Sequence, residues 1–261
     1  MACAFMPQQR RHSRDYLRAV LGREPAMREV FRHFFAFEET LLLKLRVING
    51  RPHRCDLAAD ATGFREWLRE GYPVLLGTFH VGPSDLLGFM LGSREQRLVH
   101  LVRLRVANSH DTERLAAQAG DYVRFIWVND SREMLYALKH AAESAGAIAM
   151  QCDRVEFSSR AESFEFLGGR RLFPFTIYDL ARLFHRPVIL SFGVQESATR
   201  SVLYDSPAYW PVAGESREAG RARGREHFQA FLRRLESTLR THPYLWFNFT
   251  PLNPTAPDSQ P

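Results

Sequence analysis

The clearest indication of the fold is one stretch of sequence, Tyr72-Pro73-Val74-Leu75-Leu76-Gly77-Thr78-Phe79-His80-Val81-Gly82-Pro83-Ser84-Asp85. It opens with an apolar run of strand length, and a helix-like apolar run follows it at residues 86–91. Gly82 permits a turn between the two, and Pro83 and Ser84 suit the start of a helix. We therefore expect a buried strand, a turn that carries His80, and a helix that begins near Asp85.

The same alternation continues along the chain. Further strand-like runs lie at residues 98–104, 123–128, 147–151 and 188–193. Helical patterns lie between or beside them, at residues 109–119, 132–145 and 177–184. Strands that alternate with helices predict an α/β fold with a mostly parallel sheet flanked by helices.

The ends of the chain differ from its middle. We expect residues 13–250 to form a single domain, with amphipathic helices at residues 13–50 as its N-terminal segment. Residues 1–12 are expected to be a disordered lead. Residues 251–261, rich in proline and polar residues, are expected to be a disordered tail.

The charge favours acidic partners. The net charge is +6, and almost all the basic residues are arginine, which makes forked contacts with phosphate and carboxylate groups. A phospholipid headgroup, an acidic carrier protein or nucleic acid would suit this charge, although arginine-rich codon usage explains the composition equally well. The basic residues are dispersed and lack an aromatic-basic recognition motif, so nucleic acid is not expected.

The sequence offers no metal site and no membrane span. Its three cysteines form no C-x-x-C pair, and its histidines form no H-x-H or H-E-x-x-H pattern. This cysteine usage fits reduced thiols in the cytosol. The chain has neither the apolar core of a secretory signal nor a run of ~18 apolar residues. We expect a protein that is soluble or lies on a membrane surface.

The helical pattern at residues 25–48 is long and rich in phenylalanine. Its apolar side fits a core helix. It also fits a face that rests on lipid or lines an acyl channel.

Two polar clusters follow predicted strands, and ligands bind at the carboxyl ends of parallel strands. One contains His80 and Asp85, and the other is Asp153-Arg154. A histidine can take a proton from a hydroxyl group at neutral pH, and a carboxylate on its other nitrogen fixes the tautomer. Because no G-x-S-x-G elbow is present, His80 would activate an acceptor directly.

Structural explanations remain open for each cluster. His80 could be a hydrogen-bonded loop histidine, with Asp85 serving only the helix N-terminus. Asp153-Arg154 could be a surface ion pair. Arg170-Arg171, after two glycines, could hold a phosphate or form a solvated turn.

The His80 stretch contains the H-x4-D pattern of the glycerolipid and lysophospholipid acyltransferase superfamily, which the chain resembles. Other matching blocks follow in order, at residues 14–19, 49–51, 150–154, 166–169, 173–176, 186–188 and 243–249. More narrowly, the chain is similar to the late acyltransferases of lipid A assembly, and most of all to the acyltransferases of aryl polyene gene clusters. The resemblance covers roughly residues 12–250.

The resemblance implies an acyltransferase without a bound cofactor. A fatty or polyene acyl group would pass from a thioester, on acyl carrier protein or CoA, to a hydroxyl or amine of a lipid or glycolipid. His80 would be the general base and Asp85 its charge partner. The expected substrate-binding residues are Thr78, Gly82, Asp153, Arg154, Gly168, Gly169 and Arg170. The expected location is the cytoplasmic face of a bacterial inner membrane. The alternative is a non-catalytic module that keeps the fold and binds lipid or acyl carrier protein.

Overall fold

The computed structural model describes residues 6–84, 86, 97–103, 117, 120–127, 131–155 and 160–252. The helices in these ranges are α1 (Pro7–Leu21), α2 (Met27–Ile48), α3 (Gly63–Glu70), α4 (Ser131–Glu143), α5 (Thr176–Phe184) and α6 (Arg217–Thr241). The strands are β1 (Arg54–Leu57), β2 (Leu75–Thr78), β3 (Val99–Arg103), β4 (Val123–Trp127), β5 (Ala147–Gln151), β6 (Ala161–Phe166), β7 (Gly169–Pro174), β8 (Val188–Ser197) and β9 (Arg200–Asp205). A short 3-10 turn, Gly120–Tyr122, precedes β4.

Seven strands form one sheet in the order β1-β9-β8-β2-β5-β3-β4. Its neighbouring strands are parallel except for β8 and β9, which are antiparallel. Strands β6 and β7 form a separate antiparallel hairpin. The prediction of an α/β fold with a mostly parallel sheet flanked by helices is confirmed.

The central strands are apolar on both faces because both faces are covered. In β2, Leu75 belongs to the larger apolar cluster, which also contains side chains of α1, α2, α5 and α6. Its neighbour Leu76 belongs to a second cluster, with Phe64 and Trp67 of α3. Successive side chains of a strand point to opposite faces, so this arrangement gives a continuous apolar run rather than an alternating one.

The N-terminal helix begins earlier than the sequence predicted. Helix α1 starts at Pro7, so residues 7–12 are helical rather than a disordered lead. Proline suits a first helical position, where its missing N–H costs nothing, and glutamine and arginine then favour the helix. Residues 1–5 lie outside the described ranges, as do residues 253–261 of the expected tail.

Some of the predicted elements cannot be compared with the structure. All but residue 117 of the helix expected at residues 109–119, and most of the one at 86–91, lie outside the described residues. Strand β1 was not predicted, since it has only four residues and little apolar character.

Among the described helices, none combines the length and apolar character needed to cross a bilayer. The described side chains also contain no cluster suited to a metal ion.

A buried histidine, His33, joins the two N-terminal helices to Trp246, which follows α6 in the chain. The Ser13 hydroxyl of α1 lies 2.9 Å from Nδ1 of His33 in α2, and His33 Nε2 lies 2.9 Å from the carbonyl oxygen of Trp246. A neutral ring that accepts from Ser13 and donates to Trp246 satisfies both contacts. Burial lowers the pKa of His33 to about 4, against a partly compensating hydrogen bond to Trp246.

The neutral state of His33 should make stability depend on pH. In the unfolded chain, His33 is protonated below a pKa of about 6.5. In the folded chain it stays neutral down to about pH 4. The free energy of unfolding therefore falls as the pH drops from about 6.5 to about 4. Between pH 7 and pH 4.5, we expect the free energy of unfolding to fall by about 2 kcal/mol more in the wild type than in His33→Gln. Urea unfolding at the two pH values measures this difference, and equal losses in both proteins would contradict a neutral buried His33.

Candidate active site

The site is formed where two neighbouring parallel strands end. Strands β2 and β5 pair with Thr78 opposite Gln151, the last residue of each. His80 follows Thr78 by two residues, and Asp153 follows Gln151 by two. Equal offsets from a paired register bring these two side chains together at the carboxyl edge of the sheet, where α/β proteins bind ligands.

The two side chains are hydrogen-bonded. His80 Nδ1 lies 2.7 Å from Asp153 Oδ1, and the backbone N–H of His80 donates to Asp153 Oδ2 at 2.7 Å. The side chain of Asp153 is 0% exposed, whereas that of His80 is 18% exposed. A neutral His80 that donates through Nδ1 has its lone pair on Nε2, which is the state a general base requires.

The environment keeps Asp153 ionised. Burial raises the pKa of its carboxyl group, but the positive charge of His80 when it is protonated, together with hydrogen bonds from His80 and Trp246, outweighs burial and lowers the pKa overall. A buried carboxylate needs such partners, because an unpaired charge is costly away from water.

A C-terminal segment, residues 244–249, holds the turn that carries His80. The backbone N–H of Phe247 donates to the His80 carbonyl, and that of Gly82 donates to the Leu245 carbonyl, both at 2.8 Å. The Trp246 indole N–H donates to Asp153 Oδ2 at 2.9 Å. The segment therefore contacts both members of the pair.

The partner assignment differs from the sequence interpretation. The carboxylate on His80 Nδ1 is Asp153, which was expected only to line the substrate cleft. Asp85, the expected charge partner, lies outside the described residues, so its role stays a prediction. Sequence reasoning placed His80 and Asp153 at strand ends but lacked the strand order that makes β2 and β5 neighbours.

Three other predicted residues lie at or beside this edge. Thr78 ends β2, and its hydroxyl donates to the Met150 carbonyl at 3.3 Å. Gly82 adopts a positive φ of 54° in the His80 turn. Arg154 follows Asp153, its Nη2 donates to the Phe247 carbonyl at 3.4 Å, and its buried Nε has no hydrogen-bond partner within the described part of the chain.

Of the expected Gly168-Gly169-Arg170 site, Gly168 lies in the β6–β7 turn, and Gly169 and Arg170 begin β7. Gly168 is exposed, and Arg170 is exposed with its Nε donating to Ser163 across the hairpin at 3.3 Å. The backbone N–H of Leu167 donates to Glu236 of α6 at 2.7 Å. The contacts of this turn are thus with its own hairpin and with α6, and its part in substrate binding remains a prediction.

A small cavity lies on the sheet face beside the site. Its volume is about 40 Å³, and its lining includes Thr78, Ser84, Gln151 and Ser191 together with apolar side chains of several strands. This volume is close to that of one water molecule.

The neighbouring thiol is unsuited to nucleophilic catalysis. Cys152 directly precedes Asp153 and is 2% exposed. Burial, and then the nearby charge of Asp153, raises the pKa of its thiol. A thiolate is therefore disfavoured at this position.

Comparison with known proteins adds no assignment. No protein-family model matches the sequence. A search of curated proteins likewise gave no significant match. The interpretation of the site therefore depends on its geometry and on the resemblance of the motifs.

Two glycines with positive φ, Gly82 and Gly168, provide a matched test of the His80 turn. A Cβ at Gly82 would lie 2.6 Å from the Gly193 carbonyl oxygen, whereas a Cβ at Gly168 would meet nothing within 4 Å. We expect Gly168→Ala to cost roughly 1–2 kcal/mol, from the backbone conformation alone. Gly82→Ala should cost about 1–3 kcal/mol more because of the clash. Urea unfolding measures both, and equal losses would contradict the close packing of the turn against β8.

Proposed function

We propose that this protein is an acyltransferase that moves a fatty or polyene acyl group from a thioester, on acyl carrier protein or CoA, to a hydroxyl or amine of a lipid or glycolipid. One observation carries the proposal, namely the hydrogen bond between buried Asp153 and partly exposed His80 at the carboxyl edge of a parallel sheet. The H-x4-D pattern and the other sequence blocks support the reaction class.

The proposed reaction is a direct transfer. Nε2 of His80 takes the proton of the acceptor hydroxyl while the acceptor oxygen attacks the thioester carbonyl. The tetrahedral intermediate collapses, the carbon–sulfur bond breaks, and the leaving sulfur takes the proton back from the imidazolium. Asp153 stabilises that imidazolium and holds the ring with Nε2 towards the acceptor.

Arg154 is a candidate cation for substrate binding. It follows Asp153 directly, and its Nη2 donates to the Phe247 carbonyl at 3.4 Å, while its Nε has no partner among the described residues. A guanidinium group there would attract a phosphate or carboxylate of either substrate. We assign it a substrate-binding role on this ground.

Helix α2 supports an association with a membrane surface. Large apolar side chains on it are exposed, namely Met27, Phe31, Phe35, Leu41, Leu42 and Leu45. Exposed Arg28, Arg32 and Arg46 lie beside them on the same helix. An apolar stripe next to arginines suits an anionic lipid surface, and we propose that the protein acts at the cytoplasmic face of a bacterial inner membrane.

The proposed lipid-facing helix also adjoins the site. The ring centroids of Phe37 and Phe247 lie 5.4 Å apart, and those of Phe34 and Phe249 lie 4.6 Å apart. Phe247 is the residue whose N–H holds the His80 carbonyl. A lipid acceptor arriving along α2 would therefore approach the edge that carries His80.

The reaction class is tested by removing the base. We expect His80→Ala to lower the transfer of radiolabelled acyl chains, from acyl carrier protein or CoA to a bacterial lipid extract, by about 10²–10⁴-fold because proton transfer is lost. His140→Ala is the matched control, since the His140 side chain is 82% exposed. Thin-layer chromatography separates acylated lipid from hydrolysed acyl chain.

Two outcomes would reject this proposal. Transfer by His80→Ala at the wild-type rate would eliminate His80 as the base. A wild-type protein that binds vesicles or acyl carrier protein but transfers nothing would favour the non-catalytic module.

The membrane association is tested separately from the chemistry. We expect the double variant Phe31→Ser, Phe35→Ser to bind phosphatidylglycerol-containing vesicles about tenfold more weakly, or worse, because two half-exposed rings no longer enter the lipid. Vesicle co-sedimentation measures the change.

A control for this test uses apolar residues elsewhere. Tyr136 and Leu183 are 78% and 68% exposed, on α4 and α5. The double variant Tyr136→Ser, Leu183→Ser should bind vesicles like the wild type. An equal loss in both double variants, or no loss in either, would contradict docking through α2.

A further inference from the structure

We infer that Trp246 is a positioning residue that acts on His80 through Asp153. The inference rests on the proposed function, since it assumes that His80 is the base. Trp246 lies outside the H-x4-D pattern, in the matching block at residues 243–249, and its sequence context indicated no role of its own.

The hydrogen bonds divide the two oxygens of Asp153 between two tasks. Oδ2 accepts from the Trp246 indole at 2.9 Å and from the His80 backbone N–H at 2.7 Å. Oδ1 is 2.7 Å from His80 Nδ1. Two fixed donors on one oxygen prevent rotation of the carboxylate, so the other oxygen stays directed at the imidazole.

The indole is itself held firmly. Trp246 is 1% exposed, and its ring makes edge contacts with Tyr16 at 5.2 Å and with Phe166 at 5.4 Å. Its carbonyl oxygen lies 2.9 Å from His33 Nε2. Helices α1 and α2 and the β6–β7 hairpin thus fix the indole that orients Asp153.

The Trp246 indole N–H donates to an ionised carboxylate, Asp153, that is buried away from solvent. Hydrogen bonds to ionised groups are roughly twice as strong as those between neutral groups. Loss of the indole N–H would leave Asp153 with fewer donors in a site that water cannot reach. The carboxylate would then be free to turn away from His80.

The experiment is a double-mutant cycle on acyl transfer. Trp246→Phe keeps an aromatic ring and removes the N–H, and we expect it to lower kcat about tenfold or more with little change in KM. In Asp153→Asn, the amide oxygen would face the two fixed donors and the amide NH₂ would face Nδ1, which imposes the wrong tautomer. In that background, Trp246→Phe should change the residual kcat less than about threefold, because the residue through which it acts is gone.

A packing control separates orientation from stability. Phe175→Leu removes a buried ring whose ring contacts are with Phe164, Tyr178 and Phe228, and it leaves Trp246 and its contacts in place. It should retain kcat within about threefold even if it destabilises the protein as much as Trp246→Phe. Equal kcat losses in Phe175→Leu and Trp246→Phe, or a full Trp246→Phe effect in the Asp153→Asn background, would overturn the inference.

A spectroscopic measurement tests the inference even if the protein shows no transferase activity, or if Trp246→Phe does not fold. The indole N–H signal of Trp246 in ¹⁵N-labelled protein should move upfield when Asp153→Asn replaces the charged acceptor, and stay in place in Arg154→Gln. No shift in Asp153→Asn would refute the hydrogen bond and the inference with it. A wild-type protein without transferase activity would reject the proposed function, while this shift would still decide whether Trp246 holds Asp153.

Discussion

The buried carboxylate of Asp153 is the constraint on which the rest of the site depends. It is inaccessible to solvent, and its partners are the side chain and backbone of His80 and the indole of Trp246. A buried charge is tolerated only when its hydrogen bonds are made. Strands β2 and β5 must therefore be neighbours, the His80 turn must keep its shape, and the C-terminal segment must return to the same edge. These three conditions involve both halves of the chain.

The N-terminal helices have two faces with different tasks. On the buried side, His33 and Tyr16 contact Trp246, and through it the carboxylate that serves His80. On the exposed side, α2 presents an apolar stripe with arginines beside it. The same helix would thus face lipid and support the proposed base. This arrangement gives a physical reason why a helical segment outside the sheet belongs to the functional unit.

Local patterns predicted much of the fold and placed one member of the hydrogen-bonded His80–Asp153 pair. The apolar runs and the turn after Gly77 placed β2 and His80 correctly, because strand length and turn chemistry are local properties. The partner of His80 was assigned to Asp85 because the two are close in sequence. Asp153 is 73 residues away and reaches His80 through strand order, which periodicity does not encode. Its equal offset from the strand end was the available signal, whereas Trp246 was marked only as part of the matching block at residues 243–249. The first turn of α1 was missed since its polar residues resemble a disordered lead.

The tautomer of His80 decides whether Asp153 can orient the ring for proton transfer. Long-range ¹H–¹⁵N correlation spectra of ¹⁵N-histidine-labelled protein report which ring nitrogen carries the proton in the neutral state. We expect a proton on Nδ1, in a strong hydrogen bond to Asp153, and a bare Nε2. A neutral His80 protonated on Nε2 would contradict this expectation, since that ring could neither donate to Asp153 nor take a proton from an acceptor.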